Sequence, residues 1–535
     1  MSDSAPDPAP DSGSGSGSGS AAFLPRLVAV VIALALVAGL AVAIVEATRG
    51  GEDQSSPDAV VPTATVMPST PAALASYYDQ KLSWSSCSGG RCAWLKVPLD
   101  YASPDGETVD IAVYMQPATD KHAVVGDLVV NPGGPGQSGI EYAAASSYVF
   151  RKALTKHFNI VGFDPRGVGQ SDPLKCWGTA KMDSFLASDP MPSTLPELRA
   201  ASAELRAYGA SCLRNTGALA RHMSTEDVVR DMDILRAALR QPRLDYFGAS
   251  YGTMIGATYA DIFPTHVGRM VLDGAMDPKL SNYELNLTQA KGFEVALRAY
   301  LADCVKQGNC VLGATVADAE HRLQQFLAST RSTPLPTSDP KRPLTEGLAV
   351  LGIIEPLYSK ESWSSLTTAL TSAIRDRQGS ALLALADLYS GRTAKGYSDN
   401  SMNVLYNVTC LDDGESTSAA KVASHFADFE KASPTFGKMF AVSLASCSAW
   451  PIKSAKRPHA VKAAGAAPIL VVGTTRDPAT PLAWAEGLAK ELASGVLVVR
   501  DGDGHTGYNQ GNVCTDRAVE NYLVSNKVPE NGLRC

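Results

Sequence analysis

Short apolar segments alternate with longer stretches of helical periodicity through most of the chain. Short β-rich runs separated by helices are typical of a parallel sheet with helices on both faces. The clearest apolar runs are, in chain order, GDLVVN, FNIVGFD, LDYFGAS, GRMVLDG, PILVVGT and GVLVVRD. Two earlier runs, RCAWLKVPLDY and TVDIAVYMQPA, predict strands that precede this sheet and are joined by a turn. The pattern therefore predicts a mostly parallel, doubly wound α/β fold.

A long helical stretch interrupts the predicted sheet. Over residues 275–467 the apolar runs give way to helical segments such as GFEVALRAYLADCV and SWSSLTTALTSAIRDR. A stretch of this length is the size of a domain. We therefore expect a helical cap at 275–467, inserted after the sixth strand, between two parts of the sheet domain at 76–274 and 468–535.

The first 75 residues follow a different pattern. Residues 1–22 are mostly Asp, Pro, Ser and Gly, which predicts a disordered tail. Residues 27–45 carry no charge, and a helix rising about 1.5 Å per residue would nearly span a bilayer core of about 30 Å. We expect residues 23–46 to form a transmembrane anchor or a cleaved signal segment, and the length favours the anchor. Residues 47–75, rich in Pro, Thr and Ser, predict a linker.

The charges and cysteines fit export from a bacterial cytoplasm. Arg26 precedes the apolar segment and Glu46 follows it, which places the N-terminus in the cytoplasm and the bulk of the chain outside. The chain has 10 cysteines and no CxxC motif, so zinc ribbons and thioredoxin-like sites are not indicated. Free thiols in a reducing compartment are the alternative to disulfides, and the sequence leaves the connectivity open. Pairing neighbours would join 87–92, 176–212, 304–310, 410–447 and 514–535.

The composition indicates an ordinary globular enzyme. The 535-residue chain is 45% hydrophobic and 19% charged, which supplies enough apolar material for a large core. Its formal net charge is −7 and no dense basic segment occurs, which argues against a nucleic-acid partner. We expect a monomer that uses no cofactor and no metal.

A GxSxG motif, Gly248-Ala249-Ser250-Tyr251-Gly252, is the first candidate for chemistry. The five-residue pattern alone is common. Here it follows a predicted strand and precedes a predicted helix, which is the context of a nucleophile elbow in an α/β-hydrolase. We therefore predict that Ser250 is the nucleophile of a serine hydrolase.

A serine hydroxyl needs a base, and in this fold the acid and then the histidine follow the nucleophile along the chain. The only histidine after His459 is His505, which follows the strand GVLVVRD. A lone histidine usually has a structural role, but this position predicts the base. Asp477 follows the preceding strand and is the predicted acid, which would orient the imidazole. Asp501 and Asp503 lie too near His505 on its own loop to act as that acid.

Acyl transfer also needs two N–H donors for the carbonyl oxygen. One should be the amide of Tyr251, and the other should come from the glycine-rich loop at 131–136. We predict Gly134 as that second donor, with Gly133 next; a tight loop without a catalytic role is the alternative. The glycine-rich segment at 162–171 lacks the helix-opening GxGxxG context, so no dinucleotide site is expected.

Six motifs resemble, in chain order, the secreted tripeptidyl-aminopeptidase branch of the α/β-hydrolases, which is similar to the proline iminopeptidases. They are NPGGPGQSG, GFDPRGVGQSD, GASYGT, LDGAMDP, RDPATP and GDGHTGY. Asn131 stands where the HGGPG motif of proline iminopeptidases has its histidine, as in the tripeptidyl branch. The resemblance covers about residues 76–535. It implies an α/β-hydrolase fold, release of short N-terminal peptides, an actinobacterial source and a disulfide between Cys514 and Cys535.

The substrate is less clearly indicated. An aminopeptidase must hold a free α-ammonium, which calls for a carboxylate in the pocket. The family pattern places an acidic residue shortly after a cysteine late in the cap, and Asp412 after Cys410 fits it. Asp277 and Glu355 are further candidates, and a solvated surface charge is the simpler interpretation of each. Two other functions stay open: an envelope esterase or lipase with the same triad, and an inactive binding protein, against which the complete triad argues.

Overall fold

A ten-stranded sheet crosses the molecule in a computed structural model that describes residues 66–415 and 417–535. The strands of the described residues are β1 (Ser85–Cys87), β2 (Gly90–Pro98), β3 (Thr108–Gln116), β4 (Gly126–Asn131), β5 (Phe158–Phe163), β6 (Leu244–Ala249), β7 (Val267–Asp273), β8 (Arg392–Thr393), β9 (Gly396–Tyr397), β10 (Ile469–Arg476), β11 (Gly495–Asp503) and β12 (Leu533–Arg534). The sheet runs β1-β2-β3-β5-β4-β6-β7-β10-β11-β12, and β8 pairs with β9 separately.

Helices fill most of the remaining chain. The α-helices of the described residues are α1 (Ala75–Tyr78), α2 (Gly139–Ala144), α3 (Ser146–Val149), α4 (Lys152–His157), α5 (Thr179–Leu186), α6 (Leu195–Thr216), α7 (Thr225–Ala238), α8 (Tyr251–Ile262), α9 (Asn282–Lys306), α10 (Val316–Ser332), α11 (Glu346–Leu357), α12 (Trp363–Arg375), α13 (Ser380–Ser390), α14 (Ser401–Asp412), α15 (Ala419–Val422), α16 (Phe426–Ala432), α17 (Gly437–Ser443), α18 (Ser446–Ala449), α19 (Leu482–Glu491) and α20 (Val513–Ser525). Short 3₁₀ turns lie at Ala72–Leu74, Gly217–Arg221, Pro264–His266, Lys360–Ser362 and Ala423–His425.

The neighbouring strands from β5 through β4, β6, β7, β10 and β11 to β12 pair in parallel, whereas the pairs β1–β2, β2–β3 and β3–β5 are antiparallel. Every residue of β6 is buried, as expected for a parallel strand that is covered on both faces. The predicted doubly wound, mostly parallel sheet is thereby confirmed. Strand order reverses at β4, whose neighbours are β5 and β6, and ligands bind at such switch points in open α/β sheets.

The pairing register brings three strand ends to one level. Asn131 at the end of β4 pairs with Gly248 of β6, and Ala249 of β6 pairs with Asp273 of β7. The loops that follow these strands therefore leave the sheet side by side. This edge is the carboxyl edge on which α/β enzymes build their sites.

The long helical insertion runs between Asp273, the end of β7, and Ile469, the start of β10. Most of its helices share a second apolar core, whereas α14 and α18 contribute buried residues to the core of the sheet. The insertion follows the seventh strand rather than the predicted sixth, because the short strand Ser85–Cys87 was not apparent in the sequence.

A second, shorter helical segment joins this layer from within the first part of the sheet domain. Helix α6 (Leu195–Thr216), which lies between β5 and β6 in the chain, packs against α15 and α18 of the long insertion. Asp183, on α5, pairs with Arg392 of the insertion at 2.8 Å. The helical layer over the sheet is therefore built from two segments of the chain.

Five disulfides join the cysteines in the neighbouring pairs that sequential pairing gives, and none is free among the described residues. They are Cys87–Cys92, Cys176–Cys212, Cys304–Cys310, Cys410–Cys447 and Cys514–Cys535. The last of these is the bond that the family resemblance implied, and it ties the start of α20 to the end of the chain. Disulfides in this number indicate an oxidising compartment outside a bacterial cytoplasm.

The predicted tail at 1–22, the apolar segment at 23–46 and residues 47–65 of the predicted linker lie outside the described residues. Across residues 66–415 and 417–535, no helix combines the length and the apolar character that crossing a bilayer requires.

Candidate active site

Ser250 occupies the sharp turn between β6 and α8. Its backbone angles are φ 55° and ψ −125°, a conformation that costs a non-glycine residue about 1–3 kcal/mol. The amide of Ser250 donates to the carbonyl of Asp273 at 2.9 Å. The structure thus places the predicted nucleophile on a strained strand-to-helix turn at the carboxyl edge of the sheet.

The two glycines of the motif are required by close backbone contacts. A Cβ atom on Gly248 would lie 2.4 Å from the carbonyl oxygen of Gly252. A Cβ atom on Gly252 would lie 2.5 Å from the carbonyl oxygen of Asn131 in the neighbouring loop. A side chain at either position would push the turn away from that loop.

The structure brings Asp477 and His505 into direct contact. The Nδ1 atom of His505 lies 2.9 Å from both carboxylate oxygens of Asp477. The buried carboxylate also accepts the amide hydrogens of Ala479, Thr480 and Thr506 at 2.8–3.0 Å. These donors fix the carboxylate in place, so that it can orient the imidazole.

The other two aspartates near the histidine have a different partner. Asp503 and Asp501 both pair with Arg476, at 2.5 and 2.9 Å. Their carboxylates therefore form ion pairs with Arg476 at the ends of β10 and β11, in agreement with the choice of Asp477 as the acid.

His505 is held from the cap side as well. Its amide donates to the carbonyl of Tyr358 at 2.8 Å, and the Tyr358 ring stands edge-on to the imidazole with centroids 5.4 Å apart. Burial opposes a charge on the imidazole, but the Asp477 carboxylate more than offsets this and holds the pKa of His505 above its usual value. The buried Nε2 atom has no hydrogen-bond partner among the described residues, so it is the ring nitrogen left to accept a proton.

The nucleophile turn and the histidine meet at the end of β7. Gly274 follows Asp273, whose carbonyl accepts from Ser250. A Cβ atom on Gly274 would lie 3.3 Å from Cε1 of His505. The serine turn therefore borders Asp273, and the imidazole borders the next residue, Gly274.

The glycine-rich loop packs directly on the serine turn. A Cβ atom on Gly133, whose φ is +96°, would lie 2.7 Å from the amide nitrogen of Tyr251. The amide of Gly133 donates to Oδ1 of Asn131 at 2.9 Å, whereas the exposed amide of Gly134 makes no hydrogen bond among the described residues. The amide of Tyr251 is the first of α8 and has no acceptor within the helix. The geometry thus favours Gly134 over Gly133 as the second donor.

Asp412 is not available as a free carboxylate. It accepts the amide and hydroxyl hydrogens of Thr225 at 2.9 and 2.5 Å, and it pairs with Lys456 at 3.2 Å. Its charge is therefore neutralised by a cation of the chain itself. This contact set argues against the amine-binding role that the sequence suggested for Asp412.

The two alternative carboxylates, Asp277 and Glu355, differ in whether a partner within the chain already occupies them. Asp277 is buried, accepts the amide hydrogen of Lys279 at 3.0 Å and packs against Gly487. Glu355, on α11, has an Oε2 atom that is buried without a partner among the described residues, and burial raises the pKa of its carboxyl to about 7. It lies one helical turn before Tyr358, the residue that contacts His505. Glu355 is thus the candidate whose carboxylate remains available.

A serine on the turn after β6, an acid after β10 and a histidine after β11 are the arrangement of a serine hydrolase with the α/β-hydrolase fold. Comparison with known proteins agrees. The TAP-like protein family matches residues 433–535. Serine protease Hip1 of Mycobacterium tuberculosis is 38% identical over 479 residues, covering 85% of this chain and 91% of the relative.

Two further relatives cover similar lengths. Carboxylesterase B of Mycobacterium tuberculosis is 36% identical over 470 residues, 85% of this chain and 89% of the relative. Tripeptidyl aminopeptidase of Streptomyces lividans is 28% identical over 484 residues, 85% of this chain and 86% of the relative. The chain belongs to the tripeptidyl-aminopeptidase-like family of α/β-hydrolases, as its six motifs indicated, and it is a serine hydrolase.

Proposed function

We propose that this chain is an exported aminopeptidase that releases short peptides from the free N-terminus of its substrates. The observation that carries this proposal is the Oε2 atom of Glu355, which is buried without a hydrogen-bond partner among the described residues and lies on the helical turn before Tyr358, the residue that holds His505. A substrate α-ammonium is a cation that such a carboxylate would bind through a charge-assisted hydrogen bond. Relatives named serine protease and tripeptidyl aminopeptidase support a peptide substrate.

In the proposed reaction Ser250 attacks the scissile carbonyl while Nε2 of His505 takes its hydroxyl proton. Asp477 keeps the other proton on Nδ1 and stabilises the imidazolium that forms. The amides of Gly134 and Tyr251 donate to the oxyanion. His505 then protonates the leaving amine, and water releases the peptide from the acyl-enzyme on Ser250. The chain's own residues supply every step.

The proposed binding site for the substrate amine lies on the cap, apart from the reacting groups. The Glu355 carboxylate lies on the cap, so it would bind the N-terminal ammonium while the scissile carbonyl reaches Ser250. An N-acylated peptide has no ammonium and would leave the buried Oε2 atom without a partner. Binding at Glu355 thus selects for free N-termini and limits how many residues fit before the scissile bond.

The organisation of the chain is part of the same proposal. Residues 23–46 would serve as a membrane anchor or a cleaved signal, and 47–75 as a linker to a monomeric enzyme. The sheet domain at 76–274 and 468–535 would hold the triad, and the cap at 275–467 would select the substrate. The five disulfides support an extracytoplasmic location.

A second candidate function is an esterase on the same triad, which the 36% identity to carboxylesterase B favours. The two are separated by measuring kcat/KM for a tripeptide p-nitroanilide, its N-acetylated form and a p-nitrophenyl ester. Strong cleavage of the free tripeptide that is lost on acetylation supports the aminopeptidase. Equal cleavage of both peptides, or cleavage of the ester alone, contradicts it.

A further inference from the structure

Asp273 joins the segment that carries the nucleophile to the segment that carries the base. It is buried at the end of β7, and its main-chain carbonyl accepts the amide hydrogen of Ser250 at 2.9 Å. Its side-chain oxygens accept the amide hydrogens of Gly507 at 2.7 Å and Tyr508 at 2.9 Å. These two residues follow His505 by two and three positions. One residue therefore holds the serine turn through its backbone and the histidine loop through its side chain.

The histidine loop has little freedom to replace this contact. A Cβ atom on Gly507 would lie 2.6 Å from Cγ1 of Val472, so the loop packs closely on β10. The carbonyl of Thr506 is held separately by the hydroxyl of Thr474 at 2.7 Å. Without the Asp273 carboxylate, two buried amides would lose their acceptors, and the loop would have to move to satisfy them.

Asp273 also acts on the imidazole through its charge. The carboxyl of Asp273 has charge interactions with four other titratable groups, which are His505, Asp477, Tyr142 and Arg500. Burial raises the pKa of Asp273 to about 6, against the effect of the two amides. After Asp477, the Asp273 carboxylate is a second negative group that raises the pKa of His505.

We propose that Asp273 is a positioning residue for the reaction, and that its carboxylate sets the separation between Oγ of Ser250 and Nε2 of His505. The assignment rests on the proposed function, because it takes Ser250 and His505 as the reacting pair. Proton transfer between two side chains is steep in distance, and a displacement of about 1 Å can cost about 100-fold in rate. Substrate binding, by contrast, would not depend on Asp273, which makes no contact with the cap carboxylates.

Two substitutions separate position from charge. Asp273→Asn keeps the shape but turns an amide donor toward one of the two loop amides and removes the charge. We expect kcat per folded molecule to fall about 10- to 100-fold with KM within about 2-fold, since only the reacting geometry changes. The acid limb of kcat/KM should move to lower pH, because the imidazolium loses a negative neighbour. Asp273→Glu keeps the charge but displaces it, so kcat should fall while the acid limb stays in place.

Asp501→Asn is the matched control, because it makes the same chemical change at an exposed residue near the histidine loop. This variant should behave as the wild type. The folded fraction of each variant is measured by circular dichroism. If Asp273→Asn does not fold, the kcat of Asp273→Glu decides whether the proposal holds. A wild-type kcat in either folded Asp273 variant overturns the proposal. Ser250→Ala is assayed in parallel: if it remains active, the proposed function has failed, whereas an inactive Ser250→Ala with fully active Asp273 variants overturns this inference alone.

Discussion

The Nδ1 atom of His505 lies 2.9 Å from both carboxylate oxygens of Asp477, although the two residues belong to loops that follow different strands. A carboxylate at this distance keeps the proton on Nδ1 and leaves Nε2 free to act as a base. The same contact stabilises the positive charge that the imidazole gains during the reaction. The predictions below follow from this pair and from the carboxylates around it.

Replacing Asp477 by Asn should reduce kcat by about 10⁴-fold, because the amide stabilises the wrong tautomer of His505. KM should change little, since Asp477 lies behind the imidazole. Steady-state kinetics on a tripeptide p-nitroanilide measure both constants. Asp503→Asn serves as the control on the neighbouring strand end, where the carboxylate pairs with Arg476, and it should keep most of the activity.

Replacing Glu355 by Gln should weaken the use of free-amine substrates. A charge-assisted hydrogen bond contributes about 1.5–3 kcal/mol, which corresponds to a loss of about 10- to 150-fold in kcat/KM. Cleavage of the N-acetylated peptide should not fall, because that substrate offers no ammonium. Asp412→Asn is the control, and it should leave the preference for a free amine intact since Lys456 already pairs with Asp412. A loss of that preference in Asp412→Asn alone would return the amine site to Asp412.

The preference for a free amine should depend on pH. Burial raises the pKa of Glu355 to about 7, so its carboxyl is neutral below that value and charged above it. The ratio of kcat/KM for free and acetylated tripeptides should therefore fall as pH drops through about 7. The acid limb due to His505 affects both substrates and cancels in the ratio. A ratio that stays constant between pH 5.5 and 7.5, a window from about 1.5 units below that pKa to about 0.5 units above it, would show that Glu355 does not bind the amine.

Removing the disulfide at the end of the chain should cost stability rather than catalysis. Cys514 and Cys535 are separated by 21 residues, and a closed loop of this size stabilises a fold by about 3 kcal/mol. The double substitution to Ser should lower the free energy of unfolding in urea by about 2–4 kcal/mol. The Cys87–Cys92 bond closes a loop of only 5 residues, so its double substitution to Ser should cost less. Equal losses would show that loop closure does not account for the effect.

The sequence predicted the residues that directly follow strands, and the structure places them at one edge of the sheet. Ser250, Asp477 and His505 each stand at or just after the end of an apolar run, so a local pattern locates them. Parallel strands bring their carboxyl ends together, and this long-range consequence of topology needs no knowledge of the packing.

The residues of the cap could not be placed in this way. Asp412 was favoured by its distance from a cysteine, but Lys456, 44 residues later, decides its role by pairing with it. Helix packing leaves the Oε2 atom of Glu355 buried without a partner among the described residues, and no local sequence pattern indicates this. Asp273 lies in the apolar run GRMVLDG, whose pattern predicts only a strand. Long-range contacts between side chains, rather than periodicity, determine these positions.

The most direct test is to trap the acyl-enzyme. A tripeptide p-nitrophenyl ester with a free N-terminus is mixed with the enzyme and quenched in acid during the first turnovers, and the digested protein is analysed by mass spectrometry. The account predicts the mass of the tripeptidyl group on the peptide that contains Ser250, no adduct in Ser250→Ala, and much less adduct with the N-acetylated ester. Turnover without an adduct on Ser250, or equal labelling by both esters, would contradict an aminopeptidase that acts through this serine.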